Sequence, residues 1–447
     1  MEIEMCAVGG FSEVGRNMTA LRIGNEVIIL DMGFNIPEIV RLQEEESETS
    51  KEHLSVDKLI VEQAIPNDKV LKEWKPMVKA IVLGHCHMDH TGAVPYLANE
   101  YNVPIYGTPY TIEVLKATLH DDRQRLKNPL RVLNPNGQVK LSKEIMLEFV
   151  HTTHSTPQTV LVVLHTSEGA IVYGNDFKLD NHPIIGKSPN YARMKELGEQ
   201  GVLLLICDAL YSNEGIKTPP ESVARDMLED VLLHTDNTNK LVIATTFASH
   251  IARLKSIVHA GRKLNRKVVI LGRSMNKYMQ AAANVNLVDF WDEIDAVKYG
   301  DQVKKKLREI EKNPGKYLVV CTGHQGEPGA ILSRMATGDL PYNFHPGDQV
   351  IFACKVIPAP INVANREVLE AKLKQKGVRM FRDIHVSGHL AREDHRDFIG
   401  MIKPRHIVPA QGDVKHLMPL AELATEMGYT MGQTVHVPRN GQFIRFV

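Results

Sequence analysis

The chain of 447 residues lacks several features that would fix its class at once. Cysteine is scarce: Cys6, Cys86, Cys207, Cys321 and Cys354 lie far apart, with no CxxC pair. An odd, scattered set argues against a disulfide framework and suits reduced thiols in a cytoplasmic protein. Net charge is also absent, with 53 Lys and Arg balanced by 53 Asp and Glu. The whole-molecule field therefore does not advertise a polyanion-binding protein, although a local basic groove needs no net charge. No apolar run approaches a membrane span; "LVVLH" and "GVLLLIC" have the length of buried strands. The opening "MEIEMCAVGGFSEVGRN" shows no basic-then-apolar signal pattern, and no repeat or low-complexity tract occurs. A cytoplasmic protein without membrane association is expected. Its 43% hydrophobic and 24% charged residues are those of a globular chain, and its length suits two lobes or one domain with a large insertion.

The first half alternates β-branched runs with turns. "EVIILDMG" predicts a strand ending at Asp31, "VKAIVLG" a strand running into a histidine cluster, and "DHTGAVPYLANEY" a helix. "IMLEFVHTTHS" and "TVLVVLHTSEGAIVYGNDFK" predict successive strands, with a hairpin at residues 167–169. "GVLLLICDAL" predicts a buried strand ending at Asp208. The charged stretch from Gln43 to Lys58 is read as a solvated loop or helix end. From 208 to 362, helical patterns such as "SVARDMLEDVLLHT" alternate with strands such as "KLVIATTF", "KVVILG" and "KYLVVCTG", which predicts a parallel α/β unit with its own core. "IHVSGHLAREDHRDFIGMIKPRHIVPAQGD" is expected to run strand, loop, helix, strand, loop. The expected architecture is a metal-site domain at 1–207 and 363–447, interrupted by an inserted α/β domain at 208–362.

The densest chemical signal is "LGHCHMDHTG", which places His85, His87, Asp89 and His90 within six residues after a strand. Zinc takes imidazole nitrogen and carboxylate oxygen, and catalytic sites keep one position open. His85 and His87 can converge if the segment is looped. Asp89 and His90 then point elsewhere, which suits a second ion about 3.5–4 Å away. His154 in "HTTHSTPQT" and Asp176 in "YGNDFK" complete a dinuclear set. The ordinary account of a lone histidine such as His53, His234 or His259 is a surface or satisfied residue, and Cys86 is expected to face away from its neighbours.

These residues resemble the metallo-β-lactamase fold, an αββα sandwich. "CDAL", "TTFASHIARL", "GRSM" and "HVSGHLAREDH" resemble its β-CASP branch of nucleases. "AVGGFSEVGRNM", "TGHQGEPGAILSR" and "VSGHLAREDHRDFI" with "KPRHIVPAQGD" resemble the ribonuclease J family, in the shorter archaeal form. The resemblance implies that His85, His87 and His154 hold one metal, that Asp89 and His90 hold a second, and that Asp176 bridges them. It implies two Zn²⁺ per chain, with Mn²⁺ or Mg²⁺ an option at the second position. Asp31 matches a carboxylate that orients a ligand, and Asp208 and His389 match the first two β-CASP motifs. Where the family usually closes with a histidine ligand in "HGE" or "HGD", this chain has "QGD", which places Gln411 in the ligand position. His406, Asp413 and His416 are nearby substitutes.

The expected chemistry is phosphodiester hydrolysis, with Asp89, Asp208 and His389 as the catalytic side chains. His389, oriented by Asp208, would act as general acid or stabilise the phosphate. Ser387, Gly388 and His389 would cradle a phosphate, as would Ser249 at an apparent helix start and Arg273 with Ser274 after a strand. Gly388 is expected to supply unusual backbone dihedrals. Arg253, Lys255, Arg262, Lys263, Arg266, Lys267 and Lys277 are each ordinary solvated cations, but as a set lining a cleft they would bind a single strand. The resemblance implies a homodimer that degrades single-stranded RNA 5′→3′ from a 5′-monophosphate end. Other readings are an endoribonuclease, a small-molecule hydrolase of the same fold, and an RNA-binding scaffold with a weakened metal site.

Overall fold

A computed structural model describes residues 1–49 and 55–446, with only the backbone given for 43–49. Of the charged stretch Gln43–Lys58, residues 50–54, His53 among them, lie outside the described residues, and 43–49 form the end of the helix Ile36–Thr49. After them, Ser55 caps the helix Val56–Val61 by accepting from the Lys58 amide. The chain divides into two compact units: Met1–Asp180 with Lys187–Thr218 and Gly388–Val447, and Asn181–Gly186 with Pro219–Ser387.

The first unit holds two sheets. One runs Gln442–Arg445, Ile3–Gly9, Met18–Ile23, Glu26–Leu30, Val78–Val82, Ile105–Gly107, Leu130–Val132. The other runs His406–Ala410, Val202–Asp208, Gly169–Gly174, Val160–Thr166, Met146–His151, Gln138–Lys140. Strand side chains alternate between faces, and here both faces are apolar. Ile28, Leu30 and Val82 of the first sheet share a core with Phe149, Val162, Ile206 and Val408 of the second, so the sheets lie face to face. Val27 and Ile29 point the other way, onto a core shared with Leu42, Leu59 and Leu97. Leu205 and Cys207 meet Leu197 of the helix Tyr191–Gln200, Phe398 of Arg392–Ile402 and Leu420 of Val414–Glu426. Helices thus cover both outer faces, giving an αββα sandwich.

The second unit is a six-stranded sheet in the order Ile294–Val297, Lys267–Leu271, Tyr317–Cys321, Val242–Thr245, Gln349–Phe352, Arg379–Phe381, parallel at every pairing. Helices connect the strands, as parallel pairing requires. The sequence texture misplaced the edges of this unit at 208 and 362. The helix Pro360–Gln375 crosses the second boundary and feeds the edge strand Arg379–Phe381, which pairs with Gln349–Phe352. "IHVS", expected as a strand, is irregular chain beyond that edge. The expected helix after the histidine cluster is two four-residue helices, Met88–Thr91 and Val94–Leu97, followed by a 3₁₀ turn.

All five cysteines are free and buried. Among the described residues no helix is long and apolar enough to cross a membrane. Arg253 and Arg266 leave the expected set of nucleic-acid cations. Arg253 is fully buried, pairs with Glu221 at 2.6 Å, and donates to the Ile384 carbonyl at 2.9 Å. Arg266 donates to the backbone carbonyls of Lys240, Tyr317 and Asn237. Both guanidiniums serve the core of their unit, because a buried cation needs its hydrogen bonds met within the protein. Lys263 and Lys267 are salt-bridged at 2.8 Å to Glu229 and Asp295, Arg262 pairs with Glu293, and Lys255 lies 3.6 Å from Asp289.

Glu148 on the strand Met146–His151 joins Arg193 at 2.8 Å and His165 at 2.6 Å. Burial pushes its carboxyl up, but His165 and Arg193 outweigh that and hold it down at about 2, against an ordinary 4.5. A depressed carboxyl stabilises the fold above its unfolded value, and that stability fades as pH falls towards the folded one. Glu148→Gln should therefore flatten the loss of stability between pH 4.5 and 2, measured by denaturant unfolding across that window. A slope equal to the unsubstituted chain's would show that the pair contributes nothing.

Candidate metal centre

The strands deliver their polar residues at one end of the sandwich. Asp31 follows Glu26–Leu30, His85 follows Val78–Val82, His154 follows Met146–His151 and Asp176 follows Gly169–Gly174. Asp208 closes Val202–Asp208, and Gln411 follows His406–Ala410. Buried strands hold these positions rigidly, so the side chains beyond them are aimed with little freedom.

Three imidazoles converge. His85 Nε2 lies 3.1 Å from His87 Nδ1, which lies 3.2 Å from His154 Nε2, and Asp176 Oδ2 stands 3.9 Å from His85 Nε2. Ligand atoms placed tetrahedrally about zinc at its usual bond lengths sit about 3.3 Å apart, so the spacing fits. The tautomer of His154 is fixed because its Nδ1–H donates to the Gly388 carbonyl at 2.7 Å, leaving Nε2 as a lone pair. Burial, together with the neighbouring rings, drives His85 and His154 well below the ordinary histidine range. Burial also pushes His87 down to about 4 against the pull of Asp89. Three neutral rings thus present lone pairs to one point, the donor set that a borderline cation takes.

Beside them, His90 Nε2 lies 3.1 Å from Asp176 Oδ2 and 3.5 Å from Asp89 Oδ2. His90 Nδ1–H donates to Asp31 at 2.7 Å, and Asp31 also accepts from the Gly84 amide at 2.9 Å and the Tyr173 hydroxyl at 2.8 Å. Burial disfavours a charged His90, yet Asp176, Asp89 and Asp31 outweigh it and hold the ring well above its ordinary range. The carboxylates call for positive charge at Nε2, which a divalent ion can supply in place of a proton. Among the described residues three groups could hold a metal: His85 with His87, His154 and Asp176; Asp89 with His90 and Asp176; and Asp176 with Asp208 and His389. Cys86 joins none of them; its Sγ lies 3.0 Å from Thr156 Oγ1.

His389 Nδ1 stands 2.7 Å from Asp208 and 4.0 Å from Asp176. Burial opposes its charge, but Asp208, Asp176 and Asp89 hold it up at about 9, so this ring carries a proton at neutral pH. Gly388 does not have the unusual dihedrals expected of it: its φ lies outside the left-handed region. Glycine is required there by close approach, since a Cβ would sit 2.9 Å from the His154 ring.

Gln411 departs from the ligand position expected for it. Its Oε1 accepts from the Gly15 amide at 3.0 Å, which turns the amide nitrogen towards Asp89 at 3.0 Å and Asp176 at 2.9 Å. A donor faces the carboxylates where a ligand would offer an acceptor. None of the three substitutes takes its place: His406 meets His436 at 3.1 Å, and His416 meets Asp413 at 2.8 Å while Asp413 caps the last helix.

Three model families match the chain: "Metallo-beta-lactamase superfamily" over residues 12–193, "Ribonuclease J, beta-CASP domain" over 239–370, and "Zn-dependent metallo-hydrolase RNA specificity domain" over 377–438. The chain is 47% identical to Ribonuclease J of Methanocaldococcus jannaschii over its whole length and 99% of that protein. It is 44% identical to Ribonuclease J of Pyrococcus abyssi over 99% of this chain and 97% of the other. It is 32% identical to Ribonuclease J of Thermus thermophilus, again over 99% of this chain but 74% of that longer protein. The chain belongs to the ribonuclease J family. A solved structure titled as a protein of unknown function from Enterococcus faecalis shares the fold, with a TM-score of 0.67 at 17% identity over the full length of both chains.

Some neighbours of the centre carry no sequence signal of their own. Asn17 donates to the Asp89 carbonyl at 3.0 Å and lies 3.2 Å from His90 Nε2, yet it was legible only as part of the ribonuclease J pattern "GRNM". Tyr173, under Asp31, sits in the apolar run of Gly169–Gly174 that reads as core, and Tyr211, tilted over His389 at 5.5 Å, follows the strand that ends at Asp208. Among the candidate phosphate residues, Ser249 precedes a helix whose cap is His250, which accepts from the Arg253 amide at 3.3 Å. Arg273 and Ser274 are exposed at the first turn of Arg273–Asn284. Ser387 is the last residue of the second unit, and Gly388 begins the return to the first.

Asp31→Ala should weaken zinc retention about 10- to 100-fold, because His90 loses the acceptor that orients it. Competition against a chelator measures this; unchanged retention would reduce Asp31 to a packing role.

Proposed function

We propose that this chain is a metal-dependent ribonuclease that hydrolyses single-stranded RNA 5′→3′ from 5′-monophosphate ends, in RNA decay and processing. The observation that carries the proposal is a pair of metal-fitting groups sharing Asp176, with the protonated His389–Asp208 pair 4.0 Å beyond it. Full-length kinship to ribonuclease J proteins supports the choice of RNA. Two divalent ions, zinc at the imidazole-rich position and zinc, manganese or magnesium at the other, would supply a nucleophile at neutral pH and a clamp for phosphate oxygens.

The chain's own side chains do the rest. His85, His87, His154 and Asp176 would hold the first ion, and Asp89, His90 and Asp176 the second. Asp31 orients His90 through the hydrogen bond described above. Asp208 fixes the Nδ1–H of His389, and the Nε2 edge of the ring would donate a proton to a leaving 3′-oxygen. The Asp208 carboxylate, which neither of the two ions would take, favours the protonated ring. Ser387, Gly388 and His389, with Ser249, Arg273 and Ser274, are proposed to receive phosphates of the strand. Backbone contacts of this kind position RNA without reading its sequence. The protein is proposed to act as a homodimer in the cytoplasm, without membrane association.

A linear 5′-monophosphate RNA should be consumed to mononucleotides, while a circular RNA of the same sequence persists. Cutting of the circle would assign the endonuclease mode instead. His85→Ala should abolish cleavage and leave RNA affinity, read by filter binding, within about threefold. Ser249→Ala should weaken RNA binding with no change in metal content, and unchanged affinity would take Ser249 off the phosphate path.

A further inference from the structure

We infer that Gln411 makes the two metal positions of this chain unequal: one ion is held tightly by His85, His87, His154 and Asp176, while the second is held weakly, by Asp89, His90 and Asp176 alone. The inference rests on the two-position centre proposed above and concerns how this chain departs from the histidine usual at that point.

The amide of Gln411 is fixed from both ends. Oε1 accepts from Gly15 N–H at 3.0 Å, and the nitrogen donates to Asp89 Oδ2 and Asp176 Oδ1. Turning the amide over would set its NH₂ against the Gly15 N–H and its oxygen against two carboxylate oxygens. Donor would then face donor and acceptor would face acceptor. The frame around it is equally fixed. Gln411 has φ +67, and its amide and that of Gly412 both donate to the Gly10 carbonyl, at 2.8 and 3.2 Å. Gly15 itself has φ +86, and a Cβ on it would meet the Phe34 carbonyl at 2.9 Å, so the segment carrying the fixing N–H has no room to retreat.

Two consequences follow for an ion at the second position. Gln411 offers it no lone pair, and the hydrogen bonds from its nitrogen already engage one oxygen of each carboxylate that would bind it. Three protein donors remain, and none of His406, Asp413 or His416 reaches the centre to make a fourth. The first position shares only Asp176 with this arrangement and keeps its three imidazoles. Losing an orienting partner alone costs a metal site about 10- to 100-fold in affinity, so a lost ligand should separate the two positions by at least tenfold.

The test is metal counting on the full chain. The protein is loaded with excess Zn²⁺, dialysed against chelators of rising strength, and the zinc per chain is read by mass spectrometry. About one equivalent should leave early and one late. Gln411→His, which restores an imidazole, should hold both to the same chelator strength. Gln411→Ala should leave the early equivalent no weaker than in the unsubstituted chain, because the amide is not a ligand. Circular dichroism confirms that each variant is folded, and the unsubstituted chain tests the claim without any variant. Two equivalents leaving together from the unsubstituted chain would overturn the inference, as would a tenfold or greater weakening in Gln411→Ala. RNA cleavage measured on the same samples is a separate readout. Unequal ions with no cleavage would sink the ribonuclease proposal and leave this inference standing; cleavage with equal ions would do the reverse.

Discussion

The buried carboxylate of Asp31 is the constraint on which the centre depends. It leaves the first sheet in a left-handed conformation, φ +60, and accepts three hydrogen bonds: from the Gly84 amide, from His90 and from Tyr173. Gly84 stands next to His85 in the first sheet's neighbouring strand connection, and Tyr173 belongs to the second sheet. One side chain therefore ties the two halves of the sandwich together at the point where the clustered histidines and carboxylates emerge. An unpaired charge in that setting would cost several kcal/mol, so the three donors and the carboxylate hold one another in place.

The convergence of His85, His87, Asp89 and His90 was legible because a strand followed by histidines and an aspartate at tight spacing has few other physical explanations. Runs such as "VKAIVLG" and "GVLLLICDAL" have the length of fully buried strands, and both faces of the sheets proved apolar. The boundary of the inserted unit was less legible, since Arg379–Phe381 is only three residues long and its pairing with Gln349–Phe352 is non-local. "IHVS" misled for the opposite reason: its alternation is that of a strand, but the chain there finds no ladder partner. Tyr173 and Asn17 could not be found from spacing, because their roles depend on contacts across more than 70 residues of sequence.

Charge was the least legible property. A run of arginines and lysines between Arg253 and Lys277 reads as a basic surface, yet Arg253 and Arg266 sit inside their unit and several others face carboxylates. A sequence counts cations, whereas a nucleic acid meets only the ones left unneutralised. The chain's zero formal charge is the same fact at a larger scale.

The peptide joining Gly388 to His389 has a consequence beyond the positions of its atoms. The carbonyl of Gly388 accepts from His154 of the histidine cluster, and the residue that follows is the one paired with Asp208. The positions of the His154 and His389 rings are thus mechanically yoked through a single planar bond. A shift of the backbone that moves one ring must drag the other.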